Sequence, residues 1–327
     1  MISFTAFSLR AALAAACLLV VSTAYSQNYP TRAIKLVIPF PPGGNTDSSA
    51  RVIAQALQER LGQAVVPENR PGAASRIAME AVAKSPADGY TLIYATTTFA
   101  TNTALFGPGG LPYDVARDFV PISHIAYYPY TVMVRSSLGV NSVQELVARA
   151  KQSPGKITAG TLGGGTMPNL ALELFKKRMG ADLLPVPYKG TGPALTDLIA
   201  DRIDVYFEGR IVAEGHIKAG KVKVLALAWA NRSPNSPDLP TFAEAGFPGF
   251  EVTAWFGVAA PAGTPPAVVA RLNRELVAIV KDPAWNQRLV QMDLIPTGTS
   301  AAEFERIIRE DTAKWGTVIR DAGIKPD

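Results

Sequence analysis

Short apolar runs alternate with amphipathic runs along the chain, and clusters of Gly, Pro and Thr separate them. Leu36, Val37 and Ile38 predict a buried strand. Pro39-Phe40-Pro41-Pro42-Gly43-Gly44 cannot extend a strand or a helix and predicts a loop. Asn45 or Thr46 then offers a helix cap. Asp47 falls in the first turn, where the dipole favours negative charge. Ala50, Ile53, Leu57 and Leu61 recur at helical spacing up to the stop at Gly62. Strand, bare glycine loop and helix start together aim backbone N–H groups at one spot, which suits an anion. The segment also fits any strand-to-helix corner in which Gly and Pro only make the turn.

The pattern repeats. A strand at 64–66, a turn-rich loop at 69–75 and a helix with Ile77, Ala81 and Val82 on one face lead to a strand at 90–94. Thr96-Thr97-Thr98 follows, with a helix from Thr101. This alternation predicts a parallel sheet with ligand loops beyond its carboxyl ends. Tyr127 to Arg135 reads as one long strand, and Ser142-Val143-Gln144-Glu145 as a capping box. A second copy of the opening unit runs through Ile157 to Thr161, the bare loop Leu162-Gly163-Gly164-Gly165, and Thr166 as a cap. Strands at 186–190, 204–208, 222–229 and 250–259 follow, then a helical C-terminal part. The expected fold is α/β: a two-lobed periplasmic binding protein, type II-like, each lobe a mainly parallel sheet with flanking helices, joined by crossing hinge strands. Residues 27–127 and 233–327 form lobe 1, and 128–232 form lobe 2. Two crossing segments make a hinge over a cleft.

Composition narrows the function. At 327 residues, 48% hydrophobic and 18% charged, the chain is long enough for two packed domains and is not a disordered one. The net charge of +5 comes without a dense Lys/Arg block, so no nucleic-acid partner is expected. Arg10, the apolar run to Val21 and Ala24-Tyr25-Ser26 predict a signal peptide over residues 1–26. Cys17, the one cysteine, lies inside it. Residues 160–166 lack the Lys a phosphate loop needs, and no dinucleotide fingerprint follows the first strand. His124 and His216 have no metal-ligand spacing, and no nucleophile elbow exists. Asp204 and Glu208 are a candidate carboxylate pair on spacing alone. No catalytic residue, metal or cofactor is assigned.

Several stretches resemble the solute-binding proteins of tripartite tricarboxylate transporters, the Bug family. They include Tyr29-Pro30 through Phe40, Pro42-Gly43-Gly44-Asn45-Thr46-Asp47, Asn69-Arg70-Pro71-Gly72-Ala73, Ala87-Asp88-Gly89-Tyr90, Val186 to Gly190, Pro193 to Leu198, Pro240 to Gly246 and Ala260 to Pro265. The resemblance implies a monomeric periplasmic protein that closes on a small organic carboxylate and delivers it to membrane permease subunits. It also implies that loops 40–47, 72–75, 96–98 and 161–166 surround the ligand. The implied set is Phe40, Pro42, Gly43, Gly44, Thr46, Asp47, Ala73, Ser75, Thr96, Thr97, Thr98, Thr161, Gly163, Gly164, Gly165 and Thr166, with Asn169, Lys189, Phe207 and Glu208. The chain departs from the family where Gly-Ala-Gly-Gly becomes Gly72-Ala73-Ala74-Ser75, where His becomes Asn169, and where Asp becomes Glu208. An exported enzyme acting on a carboxylate and a receptor that presents its ligand to a membrane sensor remain open alternatives.

Overall fold

A computed structural model of the chain describes residues 29–326; the expected signal peptide lies outside them. The first elements are β1 (Ile34–Ile38), α1 (Asn45–Leu61), β2 (Val65–Asn69), α2 (Arg76–Ala83), β3 (Thr91–Thr96), α3 (Thr98–Phe106), α4 (Val115–Asp118) and β4 (Phe119–Pro129). The chain then passes into β5 (Thr131–Arg135), α5 (Val143–Gln152), β6 (Thr158–Thr161), α6 (Met167–Met179), β7 (Leu184–Pro187), α7 (Thr191–Ile199), β8 (Val205–Glu208), α8 (Glu214–Lys218) and β9 (Val222–Leu227). It returns through β10 (Thr253–Pro261), α9 (Pro266–Lys281), α10 (Pro283–Val290), β11 (Ile295–Pro296) and α11 (Ala301–Ala322).

These strands build two sheets, ordered β11-β4-β10-β3-β1-β2 and β7-β6-β8-β5-β9. β1 is parallel to β2 and β3, and β6 is parallel to β7 and β8. β10 lies antiparallel to β3 and β4, and β5 antiparallel to β8 and β9. Each sheet is therefore mixed, where the alternating pattern predicts a mainly parallel one. β5 and β10, the strands that follow each crossing, run against the parallel set.

The stretch 127–135 is not one strand. It breaks at Tyr130, where the chain leaves one sheet for the other. The Tyr130 N–H donates to Val252 O at 3.0 Å, and its carbonyl accepts from Ala228 N at 2.8 Å. Val252 N donates to Ala228 O at 2.9 Å, so the outgoing and returning segments are stitched together at the crossing.

Helices pack as their periodicity dictates. α1 buries Ala50, Ile53, Ala54 and Leu57 and stops at Gly62, whose φ of 67° suits a residue without a Cβ. α9 buries Val268, Leu272, Leu276 and Ile279, and α11 buries Phe304, Ile307, Trp315 and Ile319. Each buried Val, Leu, Ile or Phe side chain among these contributes about 1.5–3 kcal/mol relative to exposure. α2 differs from expectation: Ala78, Met79 and Val82 face inward, and Ile77 is 52% exposed. α3 starts at Thr98, three residues earlier than its apolar pattern predicts.

Candidate functional site

A cleft of about 360 Å³ opens between the two sheets at the ends of their parallel strands. Four helices begin at its wall. The first residues of α1, α3, α6 and α7 (Asn45, Thr98, Met167 and Thr191) all line it. Their N-caps are Gly44, Thr97, Thr166 and Gly190, and none makes a side-chain capping bond. Gly44 and Gly190 have no side chain to cap with. Thr97 Oγ1 instead accepts Trp255 N at 2.8 Å, and Thr166 Oγ1 donates to Gly163 O at 2.7 Å. First-turn N–H groups have no carbonyl within their own helix, and each helix start carries about half a positive charge. Four such starts, two per lobe, make the cleft an anion site built from backbone.

Of the residues expected at the site, Phe40, Pro42, Gly43, Gly44, Thr46, Thr96, Thr97, Thr98, Thr166, Lys189 and Glu208 line the cleft. The others lie outside the lining, for identifiable reasons. Asp47 is 5% exposed and accepts from Gly43 N at 3.2 Å, Arg51 Nε at 3.0 Å and Asn69 Nδ2 at 2.8 Å. It holds the glycine loop in shape, and the Gly43 N–H is spent on it. Burial alone would raise its pKa, but the three donors hold its carboxyl below the ordinary range. Ser75 Oγ donates to Thr98 Oγ1, which in turn lies 2.7 Å from Thr96 Oγ1, so Ser75 orients a hydroxyl pair in the wall. Ala73 is exposed, and its carbonyl accepts from Arg76 Nε at 2.9 Å.

The second glycine loop also departs from expectation. Gly163, Gly164 and Gly165 are not in the lining. Gly165 O accepts from Thr101 Oγ1 of the other lobe, and a Cβ on Gly165 would come within 2.6 Å of Asn102 Oδ1. Asn169 Nδ2 donates to Gly164 O at 3.2 Å. The loop is thus a contact between lobes and a foundation for α6, and its neighbours Leu162, Thr166, Met167 and Pro168 form the cleft wall. Thr161 is fixed in its sheet, its carbonyl accepting from Tyr188 N at 2.8 Å. Phe207 points to the opposite face of β8 from Glu208 and packs on Phe175 at 5.4 Å between ring centroids.

The floor of the cleft was missed by the sequence pattern. Tyr128, Tyr130, Ala254 and Phe256 come from the crossing strands. The Tyr128 ring stacks on Phe256 at 5.8 Å and meets Tyr130 edge-on at 5.5 Å. The signal that could have found them is the spacing of two: 128 with 130, and 254 with 256, share a face. Pro41, Asn45, Gly190 and the first residues of α7 (Thr191, Gly192 and Pro193) also line it.

Among the described residues, the candidate acid/base groups are not brought together. Asp204 accepts from Arg135 Nε at 2.7 Å and from Thr158 N at 2.8 Å, so it is a structural anchor and no partner of Glu208. His124 is fully buried with Nδ1 2.6 Å from Thr297 Oγ1, and burial drives its pKa down to about 3. His216 is half-buried on α8. Among the described residues no group of three or more His, Cys, Asp or Glu is placed to hold a metal.

The sequence matches the model of the tripartite tricarboxylate transporter family receptor over residues 49–324. The chain belongs to this receptor family. It is 35% identical over 300 residues to BugT of Bordetella pertussis, covering 92% of each chain. It is similar in structure to Rpa4515 of R. palustris, described with adipate, at a TM-score of 0.87 and 39% identity, over 91% of this chain and all of that one. It is also similar to MatC of Rhodopseudomonas palustris with bound malate, at a TM-score of 0.82 and 30% identity, over 89% of this chain and 100% of that one. The family is one of solute-binding receptors and not of enzymes. In this receptor, Ala73, Ala74 and Ser75 all have positive φ, at 48°, 49° and 72°. That left-handed conformation favours glycine, the residue the family resemblance leads one to expect at 74 and 75. Here two alanines and a serine carry the strain, of order 1–3 kcal/mol each, and the serine gains the bond to Thr98.

Proposed function

We propose that the receptor captures a small organic carboxylate in this cleft and hands it to the permease subunits of a tripartite tricarboxylate-type transporter. The observation that carries this reading is the convergence of four helix starts without side-chain caps on one cleft. The first-turn N–H groups of α1 and α6 hold the carboxylate, with hydroxyls from Thr46, Thr96 and Thr98 beside them. The aromatic floor takes the carbon skeleton. Adipate and malate, the molecules named with two relatives, are small carboxylates and support the reading. Residues 27–127 with 233–327, and 128–232, act as the two lobes. The receptor works as a monomer in the periplasm, exported by a signal peptide over residues 1–26.

A thermal-shift screen over organic acids tests this. A bound acid at a hundred times its Kd stabilises by about 2.7 kcal/mol. Calorimetry then gives the affinity. No stabilisation by any mono-, di- or hydroxycarboxylate would end the proposal.

A further inference from the structure

Glu208 is a carboxylate in the wall of a cleft made for anions. It is 5% exposed and ends β8. Its Oε1 accepts from Gly209 N at 3.0 Å, and its Oε2 from Thr191 Oγ1 at 3.0 Å and Tyr206 OH at 3.4 Å. Among the described residues no ion pair joins it to a cation. The groups that face it are neutral: Tyr206 from β8 itself, Tyr128 from β4, Tyr130 from the crossing segment and Thr191 from α7. Lys189 is the cation of the lining, and it lies exposed at the rim. Glu208 is therefore a resident acid lying against Thr191, the first residue of α7.

Two buried donors beside it lack partners. Tyr128 OH and Asn45 Nδ2 make no hydrogen bond of ordinary geometry, although Tyr128 stands next to both Asn45 and Glu208. Tyr128 is 2% exposed, Asn45 is 9% exposed, and both line the cleft. Buried donors without partners are costly, and a ligand oxygen placed between them would satisfy both. That oxygen would also lie against Glu208. Two ionised carboxylates cannot share so dry a place, and one of them must hold a proton.

We propose that Glu208 binds the ligand as a carboxylic acid, taking one proton from solvent on capture and donating it to an oxygen of the ligand carboxylate that Asn45 and Tyr128 also hold. This rests on the carboxylate reading above. Burial already raises the Glu208 pKa in the free receptor, although the donors to its oxygens oppose the rise. A second negative charge raises it further in the complex. Affinity is then highest at pH values below both pKa values, where Glu208 is protonated free and bound. It falls as pH rises between them, by up to about tenfold per unit, and levels off above both.

Calorimetry with adipate and with malate, from about pH 5.5 to about pH 8.5, reads the linkage. Repeating it in buffers of different ionisation enthalpy counts the protons. The expected result is uptake approaching one proton per ligand, with affinity declining as pH rises. Glu208→Gln, which cannot ionise, should bind more tightly than the unaltered receptor at the alkaline end and show a flat pH profile. Proton uptake near zero at every pH in the unaltered receptor overturns the proposal and leaves the carboxylate reading intact. If neither acid binds the receptor or the variant at any pH, the carboxylate reading falls, and this inference falls with it.

Discussion

Along β8, alternation decides which side chains meet the cleft. Glu208 and Tyr206 share a face, and Phe207 is turned into the core between Phe175 and its own sheet. The next residue, Gly209, has the Tyr128 ring directly over it: a Cβ there would come within 2.0 Å of the phenol oxygen. We expect Gly209→Ala to push that ring aside, costing about 1–3 kcal/mol as overpacking does, and to weaken ligand binding through the displaced phenol. Thermal melts and calorimetry check both effects; a variant with unchanged stability and affinity would contradict the packing. Asp47 gives a second prediction. Its carboxyl sits below its ordinary value of 3.8 because donors from Arg51, Asn69 and Gly43 outweigh burial. Its contribution is therefore full above the unfolded pKa and lost as pH falls through the folded one. Asp47→Ala should cost about 1.5–3 kcal/mol near neutral pH, and the gap to the unaltered receptor should narrow in acid; a gap independent of pH would count against this account. Loop residues such as Phe40, Gly44 and Thr96 were legible in the sequence because Gly, Pro and Thr mark strand ends. The second-layer role of Asp47 and Ser75 was not, because it depends on partners at Asn69 and Thr98 that only the fold brings near.

Helix starts in this receptor trade stability for binding. A Ser, Thr, Asp or Asn cap would satisfy the first-turn N–H groups, and α5 and α11 have such caps in Ser142 and Ser300. At the cleft, Gly44 and Gly190 have no side chain to cap with, and the hydroxyls of Thr97 and Thr166 bond elsewhere. The pattern predicted Asn45 or Thr46 as the cap of α1, but Gly44 holds that place with extended φ and ψ of −86° and 172°. A Cβ on Gly44 meets nothing within 4 Å. Gly44→Asp should therefore fit, cap α1 and raise stability by a few tenths of a kcal/mol. It should also place an anion where the ligand's carboxylate belongs and lower affinity at least about tenfold, or roughly 1.4 kcal/mol. A melting scan and a titration with the same acid measure the two halves; full affinity in the capped variant would remove α1 from the site. The long helices α1, α9 and α11 were readable because each has one buried stripe. The crossing strands were not. Tyr128 and Tyr130 belong to one apolar stretch with Val132 and Val134, and periodicity carries no mark of a change of sheet when both sheets bury their strands.

For the whole molecule, the question is how much of the binding energy is spent on bringing the lobes together. They meet away from the cleft floor, where Thr101 Oγ1 donates to Gly165 O and Asn102 lies against the same glycine. Asn102 is fully buried and its Nδ2 is held by Ala74 O at 2.8 Å, so its side chain has little room to yield. The crossing at Tyr130, Ala228 and Val252 is a short hydrogen-bonded waist between the lobes, and hinge closure about such a waist is the motion a ligand would drive. A ligand gripping helix starts on both lobes favours the arrangement in which they touch, but it can shift the balance only by its differential affinity. Reversing a 1:99 bias takes about 5.5 kcal/mol of that difference. We expect a saturating carboxylate to reduce the radius of gyration measured by solution scattering. We also expect Gly165→Ala, whose Cβ would come within 2.6 Å of Asn102 Oδ1 and 3.4 Å of a Leu105 methyl, to keep the liganded lobes further apart and weaken binding, although neither Asn102 nor Leu105 lines the cleft. Gly165→Ala with unaltered affinity and an unaltered scattering change would mean that the lobes need not meet at this point to hold the ligand. Identical scattering with and without ligand in the unaltered receptor would go further, because the cleft would then be a rigid site that fills without any movement of the lobes.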